Sequence, residues 1–242
     1  MPTLRFVAET RSTNADLLDA LRSQARTGER VVEGAWLVAD RQSAGKGRQG
    51  RDWSDGAGNF MGSTVVQLAE RDPPPATLAL VAGLAVFEAA IRVLADPGIA
   101  RLKWPNDLLL DGAKAAGILL QREGDAIVVG IGVNLASSPD LPDRPTAAFA
   151  DYGPAPDRDT FAHMLAECFA TELERWRTYG LEPIVSRWQA AAIAPGTPIE
   201  VHEPDGRRMA GAFAGLAADG SMQLRLADGT QRAIHAGDVM LA

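Results

Sequence analysis

Residues 39–53 read ADRQSAGKGRQGRDW, a short run that holds three glycines (Gly45, Gly47, Gly50) and four cations (Arg41, Lys46, Arg48, Arg51). The chain around it is acidic, with a formal net charge of −7. Glycine lets the backbone approach a ligand closely and take up positive φ, and arginine offers a planar fork of donors to phosphate or carboxylate. The run is suited to closing over an anion. Gly45-x-Gly47-x-x-Gly50 also spells the dinucleotide fingerprint. That fingerprint needs a helix opening within it, because the helix N-terminus holds the pyrophosphate. Here residues 51–56 are turn chemistry and the next segment is strand-like, so context excludes a Rossmann fold. A Walker loop fails as well: Lys46 is followed by Gly47, and Ala39 or Asp40 stands where its first glycine belongs.

Outward from this run, residues 31–39 read as a strand entering it and residues 59–68 as a strand returning from it. Upstream, a short strand at residues 4–8 meets a polar turn, and Leu17, Leu18, Leu21 and Ala25 then follow at helical spacing. Thr13 with Asp16 is a variant capping box. Ser12-Thr13-Asn14 is therefore either a helix cap or a polar binding corner at a helix start. Downstream, Pro73, Pro74 and Pro75 precede an apolar helix over residues 76–95. Residues 101–135 read as a three-stranded meander with turns at Asp111-Gly112 and Glu123-Gly124-Asp125. Gly130 and Gly132 share one face of its last strand, leaving space for a ligand or for close backbone contact.

Residues 137–159, rich in Pro and Asp, are expected to form a surface connection. An amphipathic helix over residues 160–179 should bury Phe161, Leu165, Phe169, Leu173 and Trp176, and Cys168 beside that face is expected to be an inert thiol. A second helix carries Ile184, Trp188 and Ala191. From Thr197, four short strands alternate with turns at Asp205-Gly206, Asp219-Gly220 and Asp228-Gly229. That grammar predicts a small β-barrel or sandwich leaning on the main domain.

Composition sets the outer limits. An apolar fraction of 46% and a charged fraction of 23% are those of an ordinary globular chain, and 242 residues hold one large domain, or a large and a small one. The acidic balance argues against a general nucleic-acid binder. The single cysteine forms no internal disulfide, and His163, His202 and His235 are too scattered for a histidine metal centre. The first residues lack a signal-type apolar stretch, and no run approaches about 18 uncharged apolar residues. A cytoplasmic protein is expected.

Lys103-Trp104-Pro105-Asn106-Asp107 is a second dense cluster, in which Pro105 removes a backbone donor and pins the turn. Lys114 follows, three residues before Gly117. A lysine beside a phosphate stabilises charge developing in phosphoryl or nucleotidyl transfer. Taken in order, Ser12-Thr13-Asn14, Gln42 with the run Ala44 to Trp53, Lys103 to Asp107, Lys114-x-x-Gly117-Ile118-Leu119 and Gly130-Ile131-Gly132-Val133-Asn134 closely resemble the biotin protein ligases. The tail is similar to that family's C-terminal module.

The resemblance implies an α+β fold: a central mixed β-sheet flanked by helices, like the class II aminoacyl-tRNA synthetase core, over residues 1–194. A small SH3-like β-barrel would follow over residues 195–242. It implies that biotin attacks the α-phosphate of ATP to give biotinyl-AMP, and that a lysine of a biotin carboxyl carrier protein then takes the biotinyl group. Ser12, Thr13, Asn14 and Gln42 fall on biotin-binding positions, as do Gly45, Lys46, Gly47 and Arg48. Lys114, Gly117, Gly130 and Gly132 complete that set. Arg48, Arg51, Lys103, Asn106 and Asn134 would serve the nucleotide, with no fixed metal site and Mg²⁺ arriving with ATP near Asn106. Lys114 and Arg48 are the expected catalytic residues. Lys46 and Gln49 stand where the family commonly has arginines, and Lys46 lacks the bidentate fork. The motifs begin at Ser12 without a preceding helix-turn-helix, so no DNA-binding role is expected, and the partner is a carrier protein with the enzyme a monomer or homodimer. A lipoate or octanoate ligase or transferase of the same catalytic fold is the alternative, and a non-enzymatic scaffold the other.

Overall fold

The computed structural model describes residues 2–28, 30–203 and 206–241, leaving aside the side chains of residues 25–27 and with them the expected burial of Ala25. Seven strands build the central sheet: β1 Leu4–Thr10, β2 Trp36–Gln42, β3 Phe60–Gln67, β4 Ala100–Lys103, β5 Asp107–Leu110, β6 Ala113–Glu123 and β7 Ala126–Val133. Their order is β1-β2-β3-β7-β6-β5-β4, and only β1 and β2 run parallel. The sheet is mixed, as expected. Among the described residues the α-helices are α1 Thr13–Thr27, α2 Leu78–Ile91, α3 Arg158–Tyr179 and α4 Glu182–Ala191.

The two sheet faces have different work. Val129, Ile131 and Val133 of β7 look toward α2, α3 and α4, where Phe161, Leu165, Phe169 and Trp176 are all buried. Helix α2 is apolar nearly all round because it is buried between sheet and outer helices. On the opposite face α1 covers only part of the sheet, packing Leu18 onto Val65, Ala126 and Val128. Gly130 and Gly132 continue that second face beyond the end of the helix, and there the site forms.

Residues 198–241 supply β8 Pro198–His202, β9 Arg208–Leu216, β10 Met222–Arg225, β11 Gln231–Ile234 and β12 Asp238–Leu241. They form an antiparallel sheet of order β11-β10-β9-β8-β12. The predicted turns at Gly220 (φ 83°) and Gly229 (φ 84°) are present, whereas Asp205 lies outside the described residues. Ile199, Val201, Phe213 and Met222 join the same apolar cluster as the main sheet's core, so this sheet leans on the larger one as its size demands.

Local readings needed correction where one residue outweighed the pattern. The strand expected from residue 31 starts at Trp36, because Gly34 turns the chain at φ 74°. The meander has four strands. Residues 104–106 form a hairpin turn, in which the Trp104–Pro105 bond is cis, and Lys103 pairs with Asp107 across it. The helix cap is Ser12, whose Oγ accepts from Ala15 N–H at 3.5 Å, while Asp16 instead accepts from Thr10 Oγ1 at 2.6 Å. Residues 137–159 are not wholly a surface connection: Ala147, Ala148 and Phe149 are buried. Lys114 N–H donates to Pro145 O and Ala147 N–H to Lys114 O, both at 2.9 Å, stitching that segment to β6.

Candidate functional site

A cavity of about 420 Å³ opens on the α1 face of the sheet, between the α1 N-terminus, the glycine run, the β4–β5 turn and the edge of β12. Its size is that of a small-molecule site. One end is polar and uncharged. Thr13 N–H donates to Gln42 Oε1 at 2.7 Å, and the Thr13 and Ser63 hydroxyls lie 2.6 Å apart. Ser63 Oγ donates to Asn14 Oδ1 at 2.6 Å. All four side chains are buried.

The floor is where the two glycines matter. A Cβ on Gly130 would fall on the Asn14 amide, and one on Gly132 would fall inside the Trp53 indole. The space expected to be open is therefore taken up by two side chains that only glycine admits so close. Trp53 lies flat along this floor, reaching Gly117 as well, and its indole Nε1 is buried without a hydrogen-bond partner. A buried indole N–H normally finds an acceptor.

The far end is cationic. Asp107 is buried between Lys103 (2.8 Å) and Lys114 (2.6 Å). Burial pushes the Asp107 carboxyl up, but the two ammonium groups overrule it and hold the carboxyl well below the usual range. Two cations against one anion leave a net positive charge. Lys103 Nζ also donates to Val239 O at 2.6 Å. Arg48 donates to Asn106 Oδ1 at 3.0 Å and to Gly237 O at 3.1 Å, and Arg51 pairs with Asp238. Arg144 reaches the cavity from the segment beside Lys114; its bond to Asp143 raises its pKa, burial opposes, and the fields of Asp107 and Asp238 add to the rise.

The glycine run forms no α-helix. It folds back through one 3₁₀ turn, Arg48–Gly50, with Gly47 N–H on Arg51 O at 2.7 Å and Trp53 N–H on Gly45 O at 2.9 Å. Gln49 sits at φ 56° and Gly50 at φ 75°, so a non-glycine residue carries the uncommon left-handed conformation. Lys46 points outward to exposed Asp52 at 2.6 Å.

The expected residues come together with two qualifications. Gly45 is not on the cavity wall; it lets Gln42 and Trp53 pack closely beneath the loop. Asn134 reaches the wall, but its amide donates to Ala147 O at 3.1 Å and holds the 134–149 segment. Asp107 and Trp53 stood inside quoted motifs without a role. Ser63 could be found from strand alternation, pairing with Gly130 across β3 and β7. Asp238 carries no local signal, since its partners lie far away in sequence.

The profile of the Biotin/lipoate A/B protein ligase family matches residues 8–135, more than half of the chain. The chain is 36% identical to the biotin--[acetyl-CoA-carboxylase] ligase of Paracoccus denitrificans, over 93% of this chain and 95% of that one. It is 32% identical to the enzyme of the same name from Mycobacterium tuberculosis, over 98% and 88%. In fold it is similar to the biotin protein ligase from Aquifex aeolicus solved with biotin and ATP (TM-score 0.85, 24% identity, 100% and 99% coverage). The chain belongs to the biotin/lipoate A/B protein ligase family.

Proposed function

We propose that this protein is a biotin–[biotin carboxyl carrier protein] ligase, which activates biotin with ATP and transfers it to a carrier lysine. The observation that carries this reading is the division of one cavity into a neutral polar end, a glycine-and-tryptophan floor and a cationic end. The ureido ring of biotin needs directional donors and acceptors, which Ser12, Thr13 and Gln42 supply. Its valeryl chain runs along Trp53 over Gly132 and Gly117. Its carboxylate then meets the α-phosphate among Lys114, Arg48 and Lys103. Attack of one anion on another requires positive charge held between them in advance. The carboxylate oxygen bonds to the α-phosphorus, pyrophosphate leaves, and the resulting mixed anhydride is attacked at its acyl carbon by the lysine amine, releasing AMP.

Mg²⁺ enters with ATP. Among the described residues no group of three or more His, Cys, Asp or Glu gathers to hold a metal; the ion would lie near Asn106 and would offset phosphate charge as the carboxylate attacks. Arg51 and Asn134 complete the nucleotide end, with Lys46 and Gly47 on the loop above it. Residues 1–194 form the catalytic unit, and residues 195–242 a second unit whose last strand walls the nucleotide end. Among the described residues no helix is long and apolar enough to cross a membrane, and a cytoplasmic carrier protein is the partner.

A lipoate or octanoate substrate fits the polar end poorly. A dithiolane or alkyl tail would set apolar atoms against the donors and acceptors of Thr13, Gln42 and Ser12 that the protein's own hydrogen bonds leave over, and burying such groups unmatched is costly. ATP–pyrophosphate exchange tests the choice: we expect stimulation by biotin, and stimulation by lipoate but not by biotin would overturn it.

A further inference from the structure

The hydrogen bonds at the polar end of the cavity continue to a residue that does not line it. Ser63 Oγ donates to Asn14 Oδ1 at 2.6 Å, and Asn14 Nδ2 donates to Gln121 Oε1 at 2.8 Å. A hydroxyl has one proton. Thr13 Oγ1 has two acceptors within reach, Ser63 Oγ at 2.6 Å and Gln42 Oε1 at 3.0 Å. Because the Ser63 proton goes to Asn14, the shorter Thr13–Ser63 contact is a hydrogen bond only when Thr13 supplies it. The protons then run one way, Thr13 to Ser63 to Asn14 to Gln121. Turning the two amides over reverses the whole series: Gln121 donates to Asn14, Asn14 to Ser63, Ser63 to Thr13, Thr13 to Gln42.

Both directions are unbroken, and they present different walls to a ligand. In the first, Thr13 Oγ1 accepts nothing from the protein and keeps both lone pairs for an incoming N–H. In the second, one lone pair is already used by Ser63. What decides between them is whether the group at the far end of the series accepts or donates, and here Gln121 Oε1 accepts.

We propose that Gln121 is a positioning residue that sets this direction, and through it the affinity for a ligand bearing ring N–H groups. The inference rests on the biotin reading of the cavity, since a ureido ring is the ligand that reads Thr13 as an acceptor. Gln121 acts by accepting from Asn14, which the missing side chain of Gly130 allows to lie against β7.

The test uses the whole chain, isothermal titration with biotin and steady-state exchange kinetics. Gln121→Glu offers only acceptors and keeps the first direction; its biotin Kd should stay within about twofold of the parent. Gln121→Lys offers only donors and imposes the second; biotin Kd and KM should rise about tenfold, with kcat, the KM for ATP and the Tm unchanged. Asn14→Asp combined with Gln121→Lys places a carboxylate at position 14 that accepts from both Ser63 and the introduced ammonium. That double variant restores the first direction at Ser63 and should recover most of the lost affinity. Equal Kd values for the two single variants, or no recovery in the double variant, would overturn the role of Gln121. Failure of the parent protein to bind biotin would instead sink the reading of the cavity itself.

Discussion

Replacing Asp107 by Asn tests the cationic end. The substitution keeps the shape of the side chain and removes the carboxylate charge that opposes Lys103 and Lys114. Their side chains are 9% and 19% exposed, and that of Asp107 is 5% exposed, so water replaces little of what is lost. Breaking a buried ion pair by removing one partner costs about 3–5 kcal/mol, because the remaining charge stays buried. For a chain of this size each kcal/mol moves the Tm by about 2–4 °C, which gives a fall of about 6–20 °C. Thermal melts at pH 7 measure it. Pyrophosphate should return part of the loss, since an anion bound beside the two ammonium groups offsets the charge the substitution leaves uncompensated. The pH dependence has a defined sign. The folded pKa of Asp107 is depressed, so its stabilisation is complete above the unfolded value of about 3.9. It is lost as pH falls from there through the folded pKa. Wild type should lose its advantage over Asp107→Asn across that acid range. A variant Tm within about 2 °C of the parent, with no response to pyrophosphate, would refute the argument.

Two further substitutions probe the floor and the far wall. Gly132→Ala should displace Trp53 from β7, seen as a change in tryptophan emission, with biotin affinity falling about tenfold or more, a cost of roughly 1–3 kcal/mol for overpacking; an unchanged spectrum and affinity would remove Trp53 from the floor. Asp238→Ala should free Arg51 and weaken the hold on Arg48, so trypsin should cut after these residues several times faster than in the parent, with ATP restoring protection. Equal cleavage rates would mean that Asp238 does not hold the loop.

The sequence carried most of the helices and strands because their periodicity is local. Phe161, Leu165, Phe169, Leu173 and Trp176 repeat at helical spacing, and all are buried. It failed where a single backbone choice overrode composition. Pro105 pins a turn as the sequence implies, but the four-residue strand before it, β4, went uncounted, and Gly34 delayed β2. Among site residues, those in dense motifs were visible, while Ser63 needed the register between β3 and β7. Arg51–Asp238 and Asn14–Gln121 join residues 187 and 107 positions apart, and no window along the chain contains such a pair. The two glycines of β7 do line the cavity, and part of what they make room for is Asn14 and Trp53. Reading a missing side chain as empty space overlooks the neighbours that a missing side chain admits.

The contacts of residues 237–239 bear on how the protein is made. Synthesis runs from the N-terminus, so all seven strands of the main sheet exist once residue 133 has been added. The carbonyls of Gly237 and Val239 and the carboxylate of Asp238, which hold Arg48, Lys103 and Arg51, come more than a hundred residues later. The residues of the main sheet are therefore made well before those that close the cavity, with α3 and α4 in between. Until then Arg48, Arg51 and Lys103 lack these acceptors, and the positive charge at that end of the cavity is less offset than in the finished chain.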